Sequence, residues 1–353
     1  MSDEHPRERP SAAQILATYD GPPLRIMEVC GTHTHEIFRL GIRKLLPPQV
    51  ELISGPGCPV CVTPVGFIDE AIWLAEHGAT ITTFGDLVRV PGTSGSLATA
   101  RAEGGRVQVV YSPLDAVAYA REHTDERVVF LSVGFETTVP AACLAVDQAL
   151  AEGIGNFSLL TANKTMPNAY AALKDSADVF LYPGHVHAIT GTQLCEDLAE
   201  QGVSGVLAGF TAKELLTALA VAVRKGGEGK PFFVNAYPRV VRPEGSPAAV
   251  ALINKLMEPC DTEWRGLGVI PQSGLKLREK YESVDARRVF DMPHIEGRAN
   301  PACRCGEVLQ GKCKPSDCPL FGRGCTPQHP VGACMVSGEG ACSAYFQYGG
   351  DVL

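Results

Sequence analysis

The stretch LRIMEVCGTHTHE, residues 24–36, decides the fold class, because a short apolar run ends in a loop with cysteine and glycine and a helical pattern follows directly. The same order repeats along the chain, with amphipathic segments behind the runs. The later runs are VELIS (50–54), ATITTF (79–84), RVQVVY (106–111), RVVFLSV (127–133), FSLLTA (157–162), ADVFLY (177–182), GVLAGF (205–210) and residues 232–235. Short strands that alternate with helices are typical of βαβ units and a parallel sheet. We therefore predict an α/β fold.

The number of strands favours two doubly wound parallel-sheet domains over one large sheet. A charged segment at residues 123–127 lies between a helix and a strand, and we place the boundary there. The predicted division is an N-terminal arm at 1–22 with a helix from Ser11 to Tyr19, α/β domains at 23–124 and 125–245, and a cysteine-rich domain at 246–353. In the last of these, a helix near residues 248–257 and a linking region are expected to precede the cysteines.

Composition excludes several classes of function. The chain has 353 residues and a net charge of −8, without the basic stripe that a nucleic-acid-binding protein needs. Its apolar runs fall short of the roughly 18 residues that span a bilayer. The first twenty residues are polar and lack the apolar core of a secretory signal. We therefore expect a soluble, cytoplasmic protein that binds neither nucleic acid nor membrane.

Cysteine usage is the strongest functional signal. Seven of the thirteen cysteines lie between Cys303 and Cys342, and in a reducing cytosol such cysteines tend to be metal ligands or redox groups. Ordering costs about 1–2 kcal/mol per backbone residue. This tail, dominated by Cys, Gly and Pro, has few apolar side chains to offset that cost, so a metal centre is the obvious element to hold it together.

The spacing in the tail favours an iron–sulfur cluster. The tail cysteines are Cys303, Cys305, Cys313, Cys318, Cys325, Cys334 and Cys342. The last four are separated by long, irregular gaps rich in Gly and Pro, which suit loops wrapped around a bulky cluster. Zinc and free buried thiols are the alternatives. The roles of the first three stay open, although together with Cys318 they have the spacing of a second, zinc-like site.

Two further cysteine motifs stand where strands end. Cys30 leaves the first strand, and ligands of α/β folds bind at the carboxyl ends of strands. His33 and His35 follow as possible ligands or proton carriers, or as ordinary loop histidines. Cys58 and Cys61 form a CxxC after the second strand, which permits a reversible disulfide or two thiolates on one metal. We expect the following helix N-terminus to lower a thiol pKa.

Two more strand-end loops carry polar groups. Glu136 lies in GFETTVP and His185 in PGHVHAITG, and both fall on the same rim as Cys30 if the sheets are parallel. The alternatives are a carboxylate that interacts with a helix start and a histidine bonded to backbone. Three other cysteines lie in apolar helical patterns and are expected to be buried, inert thiols: Cys143, Cys195 and Cys260.

An ordered set of motifs resembles a known family. CGTHTHE begins at residue 30, GPGCPVCVTP spans 55–64, and CPLFGRGCTPQHPVGACMVSGEGAC spans 318–342. Together with GFETT and PGHV they resemble the HypD family of [NiFe] hydrogenase maturation proteins, from about residue 24 to the C-terminus. The resemblance implies two α/β domains and a third domain with a [4Fe–4S] cluster. The implied cluster ligands are Cys318, Cys325, Cys334 and Cys342.

The same resemblance implies a function. Iron carrying cyanide and carbon monoxide is expected between this chain and a small partner, HypC, with Cys30 as the ligand on this side. Cyanide is expected from HypE, which carries it as a thiocyanate on its C-terminal cysteine. Cys58 and Cys61 are the expected redox pair, with Glu136, His33 and His185 as proton carriers or supporting partners. The chain is then an assembly scaffold with redox chemistry, not a conventional turnover enzyme.

Two other functions stay open from the sequence. One is a thiol–disulfide oxidoreductase that uses a cluster and the CxxC on a protein disulfide. The other is a zinc-dependent interaction module without redox chemistry. Nucleotide binding has weak support, because neither GxxxxGK[ST] nor a GxGxxG follows a strand.

Overall fold

A computed structural model describes residues 10–349. Each of the nine predicted runs contains a strand, which confirms the α/β class, and two further strands follow. The strands are β1 Leu24–Glu28, β2 Val50–Ser54, β3 Ala79–Thr83, β4 Arg106–Val109, β5 Arg127–Ser132, β6 Phe157–Thr161, β7 Val179–Pro183, β8 Gly205–Ala208, β9 Phe233–Asn235, β10 Met257–Trp264 and β11 Gly268–Leu277.

Helices connect these strands and cover the sheets. They are α1 Ala12–Ala17, α2 Gly31–Arg39, α3 Pro59–Val62, α4 Val65–Glu76, α5 Leu97–Ala102, α6 Pro113–Glu122, α7 Val139–Ala151, α8 Met166–Ala172, α9 Gly184–Thr190, α10 Gln193–Glu200, α11 Ala212–Gly226, α12 Pro247–Leu256, α13 Ala286–Val289, α14 Cys305–Leu309, α15 Ala333–Val336 and α16 Ala341–Tyr348. In the described part of the chain, no helix is long and apolar enough to cross a bilayer.

Two parallel sheets share the strands in an interleaved order. The first sheet has five strands in the order β2-β1-β7-β8-β9, and the second has four in the order β4-β3-β5-β6. The boundary predicted at residues 123–127 thus falls inside the second sheet, between β4 and β5. The first sheet is built from both sides of that boundary. The strands of one sheet are therefore not consecutive in the chain, unlike in the predicted division into 23–124 and 125–245. The reason is that an apolar pattern identifies a strand but not the strand with which it pairs.

The strand order places polar loops at two crevices. Each sheet reverses its winding once, between β1 and β7 in the first and between β3 and β5 in the second, and such switch points are where open α/β sheets bind ligands. Cys30 follows β1 and His185 follows β7, so both lie at the crevice of the first sheet. Glu136 follows β5 and lies on the second sheet, not on the same sheet edge as Cys30.

The carboxyl ends of the two sheets meet in a common core. One apolar cluster includes Met27 and Val29 at the end of β1, Tyr182 in β7 and Phe135 after β5. Nearly continuous burial of β1, β5 and β7 is expected where helices cover both faces of a parallel sheet. The loops that carry the candidate site therefore converge on one interior.

The C-terminal region adds structure that the sequence did not reveal. The predicted linking region contains the antiparallel hairpin β10–β11. Cys260 lies on β10, half-buried, and not in a buried helix as predicted; Cys143 and Cys195 are buried on helices as expected. The tail packs against the first sheet, with Tyr345 of α16 on Phe38 of α2 at 4.6 Å between ring centroids.

The described part of the N-terminal arm contains a helix. The predicted helix forms as α1, capped by Ser11, and its Leu16 is completely buried. Residues 1–9 of the predicted arm lie outside the described residues.

Candidate thiol and metal centre

A close backbone contact joins the two N-terminal cysteine loops. The amide N–H of Gly31 donates to the carbonyl oxygen of Gly57 at 2.9 Å. A Cβ on Gly57 would lie 2.1 Å from the backbone nitrogen of Cys30. Only glycine fits there, so the GPGCPVC loop lies directly on the loop of Cys30.

Cys30 is a buried thiol under the tail. It precedes α2, and the backbone N–H groups of Thr32 and His33 are directed at its sulfur. Burial nevertheless raises the pKa of Cys30 to about 12. The tail covers this loop, since Thr32 donates its hydroxyl to Glu339 at 2.7 Å. Metal-free Cys30 is therefore protonated at neutral pH and would release a proton when it binds a metal.

Cys58 and Cys61 form a compact pair. Cys58 caps α3, and its Sγ accepts a hydrogen bond from the backbone N–H of Cys61 at 3.3 Å. The prediction that the helix start lowers a thiol pKa is wrong for Cys61. Burial, followed by hydrogen bonds with Cys334 and Cys58, raises its pKa well above the ordinary value. The helix has only four residues, too short to offset complete burial.

Five tail cysteines surround a small apolar cavity. Val308, Leu320, Phe321 and Met335 complete its walls. The cysteines are Cys303, Cys305, Cys318, Cys325 and Cys342. Three of the four expected cluster ligands are therefore brought together, along with two cysteines whose roles the sequence left open. We call these five residues and Cys334 the cysteine cage.

Local features shape the cage for sulfur. A Cβ on Gly332 would lie 2.5 Å from the Sγ of Cys305 and 2.7 Å from that of Cys303, so only glycine lets both sulfurs approach. The Sγ of Cys325 accepts a hydrogen bond from the backbone N–H of Val331 at 3.3 Å. Several thiols around an apolar space, with backbone donors directed at sulfur, are the features that an iron–sulfur cluster needs. The residues present thus fit such a group.

Cys334 lies at the side of the cage that faces the N-terminal loops. It does not line the cavity, and it forms hydrogen bonds with the thiols of Cys305, Cys342 and Cys61. These bonds hold the pKa of Cys334 well below its ordinary value. Cys334 therefore connects the cage to the CxxC pair, a contact between residues 273 positions apart that no local sequence signal predicts.

Cys313 lies apart from the cage. It lines a separate surface pocket with Arg25 and Lys312, so the proposed spacing of a second, zinc-like site does not bring its four members to one cavity. Within residues 10–349, no three His, Cys, Asp or Glu side chains are arranged as ligands of a single metal ion.

His33 and His185 enclose an aromatic ring. The ring of Phe210 lies between them, 4.8 Å from His33 and 5.0 Å from His185 between centroids. Burial lowers the pKa of His33 to about 3 and that of His185 to about 4. The Nε2 atom of His33 is 3.0 Å from the carbonyl oxygen of Gly209, while its buried Nδ1 has no partner among the described residues. Both rings are therefore neutral at pH 7 and are weak bases.

His35 has a different environment. Its Nδ1 is 3.2 Å from the carbonyl oxygen of Gly338, and its Nε2 is 3.4 Å from the hydroxyl of Tyr348. Both ring nitrogens are thus engaged by the tail. His35 thus fastens α2 to the C-terminal region.

Glu136 is a buried carboxyl with one free oxygen. Its Oε1 accepts a hydrogen bond from the backbone N–H of Met166 at 2.8 Å. Its Oε2 is buried without a partner in the part of the chain that the structure describes. Burial raises the pKa of Glu136 to about 7, so the carboxyl can gain or lose a proton near neutrality.

The sequence analysis did not identify a buried cluster of four side chains, which are Tyr170, Tyr182, His187 and Cys195. Tyr170 and Tyr182 pack at 4.6 Å between ring centroids, and the Sγ of Cys195 lies 3.5 Å from the ring nitrogens of His187. The charge of Glu136 acts on both Tyr170 and Cys195. The second histidine of the sequence GHVH, residues 184–187, could have indicated His187. The two tyrosines could not be distinguished from ordinary apolar residues of a helix and a strand.

The fold and this centre define a class of protein: an α/β protein with three buried loop cysteines beside a cage of six more. Sequence comparisons assign the class to a family. The profile of HypD, described as "Hydrogenase formation hypA family", matches residues 9–349. The chain is 45% identical to the hydrogenase maturation factor HypD of Rhodobacter capsulatus over 350 residues, which covers 96% of this chain and 93% of that protein.

Further relatives agree. The HypD proteins of Escherichia coli K12 and Azotobacter vinelandii are 44% and 42% identical, with 98% and 97% of this chain and 94% of each relative covered. The chain belongs to the HypD family of hydrogenase maturation factors, which confirms the resemblance of the sequence motifs.

Proposed function

We propose that this chain is a cytoplasmic scaffold that holds iron while cyanide and carbon monoxide are attached during [NiFe] hydrogenase maturation. The observation that carries the proposal is the position of Cys30. It lies at the switch point of the first sheet, in contact with the CxxC loop and beneath the tail. A single thiolate in a closed interior suits a metal that is held temporarily and protected from water.

Residues around Cys30 support its role as an iron ligand. Binding requires loss of the thiol proton, and backbone N–H groups at the start of α2 favour the thiolate that results. Burial lowers the pKa values of His33 and His185 and makes both rings weak bases, so their proposed role is that of supporting partners around the Cys30 loop. Glu136, whose pKa lies near neutrality, serves as a proton carrier on the side of the second sheet.

We further infer that the cysteine cage holds a [4Fe–4S] cluster. The cavity lining favours Cys318, Cys325 and Cys342 as ligands, with a fourth from the pair Cys303 and Cys305 in place of the expected Cys334. A bound cluster of this kind supplies single electrons. Cys334 then ligates no iron and connects the other cage cysteines to Cys61.

The CxxC pair is suited to reversible oxidation. Cys58 and Cys61 are adjacent, and Cys61 also contacts Cys334. For a two-electron thiol–disulfide couple, about 30 mV corresponds to about 1.4 kcal/mol. One hydrogen bond added or lost at either sulfur changes the free energy by about this amount. Binding or loss of the cluster in the cysteine cage can therefore shift Cys58 and Cys61 between their dithiol and disulfide forms.

The proposed partners are HypC, which shares the iron, and HypE, which delivers cyanide. Their support is membership in a family of hydrogenase maturation factors together with the need for a cyanide donor outside this chain. Anaerobic co-purification of this chain with each partner tests the pairing, and a chain that retains neither partner at micromolar concentration would contradict it.

The first experiment is anaerobic purification with iron, sulfide and zinc analysis and an infrared spectrum. Wild-type protein is expected to be brown, with about four iron and four sulfide in the cage, and to show bands of bound cyanide and carbonyl when the partners are co-expressed. Cys30→Ser should lose those bands and keep the cluster. Cys143→Ser, a buried thiol on α7, is the matched control. Persistence of the bands in Cys30→Ser, or colourless protein that contains zinc, would refute the scaffold.

A second candidate is a thiol–disulfide oxidoreductase. The contact between Cys334 and Cys61 favours it, because it joins a cage of cysteines to a CxxC pair. This function requires Cys58 and Cys61 and does not require Cys30. Turnover of a protein disulfide that Cys30→Ser leaves unchanged would favour the oxidoreductase.

A further inference from the structure

A large cleft opens next to the cysteine cage. Its volume is about 960 Å³, and Val65 and four longer segments line it. The four segments are the loop at 89–99, the hairpin turn at 265–266, the segment 298–306 and the segment 328–332. None of the motifs that led to the scaffold proposal lies in this cleft, apart from part of the tail.

The cleft is positively charged in an acidic protein. Arg89, Arg265 and Arg298 line it, while no Asp or Glu is among the described residues of its lining. The whole chain carries a net charge of −8. In the part of the chain that the structure describes, none of the three arginines forms an ion pair with a carboxylate. Uncompensated charge of one sign in a cleft attracts groups of the opposite sign.

Arg265 is built into the wall of the cleft. It is only 9% exposed, and its Nε donates to the carbonyl oxygen of Thr63 at 2.8 Å. Its Nη2 is buried and has no partner among residues 10–349. The cationic side chain also acts on the Cys303 thiol. A guanidinium held by backbone and left with a free donor lies between the cleft and the cage.

The cleft leads to the cage itself. Cys303, Cys305 and Gly332 form part of its lining, and the first two also line the cluster cavity. A macromolecule seated in this cleft would therefore place its own surface next to two cage thiols. Electron transfer between proteins requires this kind of close approach.

We propose that the cleft is the docking site for the acidic surface of a small electron-transfer protein. The proposal rests on the proposed function and adds the source of its electrons. Two carrier molecules, each oxidised by one electron, supply the pair that converts a Cys58–Cys61 disulfide and two protons into two thiols. Arg89 and Arg298, both exposed at the mouth, contact the acidic partner, and Arg265 holds positive charge at the floor.

The test measures binding of an acidic [2Fe–2S] ferredoxin, as the probe, to the full chain by calorimetry at several ionic strengths. The double variant Arg89→Glu and Arg298→Glu is compared with the control Arg224→Glu and Arg288→Glu. The control makes the same charge change at exposed arginines outside the cleft. We expect affinity that falls with salt in the wild type. We expect a loss of about tenfold or more in the cleft variant, and a loss within about twofold in the control.

Equal affinities for the cleft variant and its control would overturn the proposal. The proposal would also be overturned if sulfate displaced the ferredoxin at an ionic strength at which chloride does not displace it. The cleft would then be a site for small anions. Binding does not depend on the loading of the cage, so it is measured on protein with and without iron. A chain that binds ferredoxin but holds no cluster would contradict the proposed function and leave the docking site intact.

Discussion

Glu136→Gln is expected to remove a pH-dependent loss of stability that the wild type suffers near neutrality. The carboxyl is 3% exposed, and its Oε1 accepts from the backbone N–H of Met166. Glutamine retains an acceptor for that bond and has nearly the same shape. What changes is the ability to carry a negative charge in a buried place.

The magnitude follows from the two pKa values of this carboxyl. Burial raises the pKa from 4.5 to about 7 in the folded chain, so between these values the folded state holds a proton that the unfolded state has lost. Stability therefore falls as pH rises through this window. A shift of about 2.5 units corresponds to about 3 kcal/mol. The variant should match the wild type near pH 4 and exceed its free energy of unfolding by about 3 kcal/mol above pH 7.

The assay is urea unfolding at half-unit steps from pH 4 to pH 8, with the difference between variant and wild type plotted against pH. Other titrating groups are common to both proteins and cancel in this difference. Glu122→Gln, at an exposed position at the end of α6, is the control and should give a flat difference. A flat difference for Glu136→Gln as well would refute the argument that burial controls this carboxyl.

Three further predictions follow from the cage and the histidines. Gly332→Ala places a Cβ within 2.7 Å of two sulfurs, well inside a normal contact of about 3.5–4.0 Å. This variant should lower the iron and sulfide content per chain by more than half. The control Gly338→Ala has nothing within 4 Å of its Cβ among the described residues and should retain the wild-type content. Cys318→Ser should lose the cluster and Cys334→Ser should keep it, as counted by iron analysis and the visible spectrum, and the reverse result would restore Cys334 as a ligand. Burial lowers the pKa of His33 to about 3, so the neutral ring stabilises the folded state most above pH 6.5, and this contribution is lost as the pH falls. The wild type should therefore lose more free energy of unfolding than His33→Gln between pH 6.5 and pH 4. The expected difference is about 3 kcal/mol, measured by denaturant titration.

The sequence predicted strands well and their partners poorly. Each run from Leu24 to Asn235 contains a strand, because buried parallel strands are short, apolar and bounded by loops. The pairing of β1 with β7 depends on contacts across about 150 residues, and no local pattern encodes it. The hairpin β10–β11 was missed for a different reason. Pro259, Pro271 and Gly274 interrupt the alternation by which strands are recognised.

The candidate site was predictable where it follows strand ends. That rule located Cys30 and His185 at one crevice, since both follow neighbouring strands of one sheet. It misjudged Glu136, because the rule does not say to which sheet a strand belongs. Membership of the cage was also beyond the sequence. Whether Cys305 or Cys334 faces the cavity depends on how Gly-rich loops fold around it, which spacing alone does not determine.

The interleaved strand order has a consequence for synthesis on the ribosome. β2 ends at Ser54, and β7, the other neighbour of β1, begins at Val179. At about 5–20 residues per second, β1 emerges several seconds before its central partner exists. Meanwhile β3 to β6 are contiguous and can pair among themselves. The nascent chain thus carries an unpaired strand edge beside Cys30 during this interval. Such an edge can pair with other chains, and the Cys30 thiol is exposed until the tail has been made and can cover it.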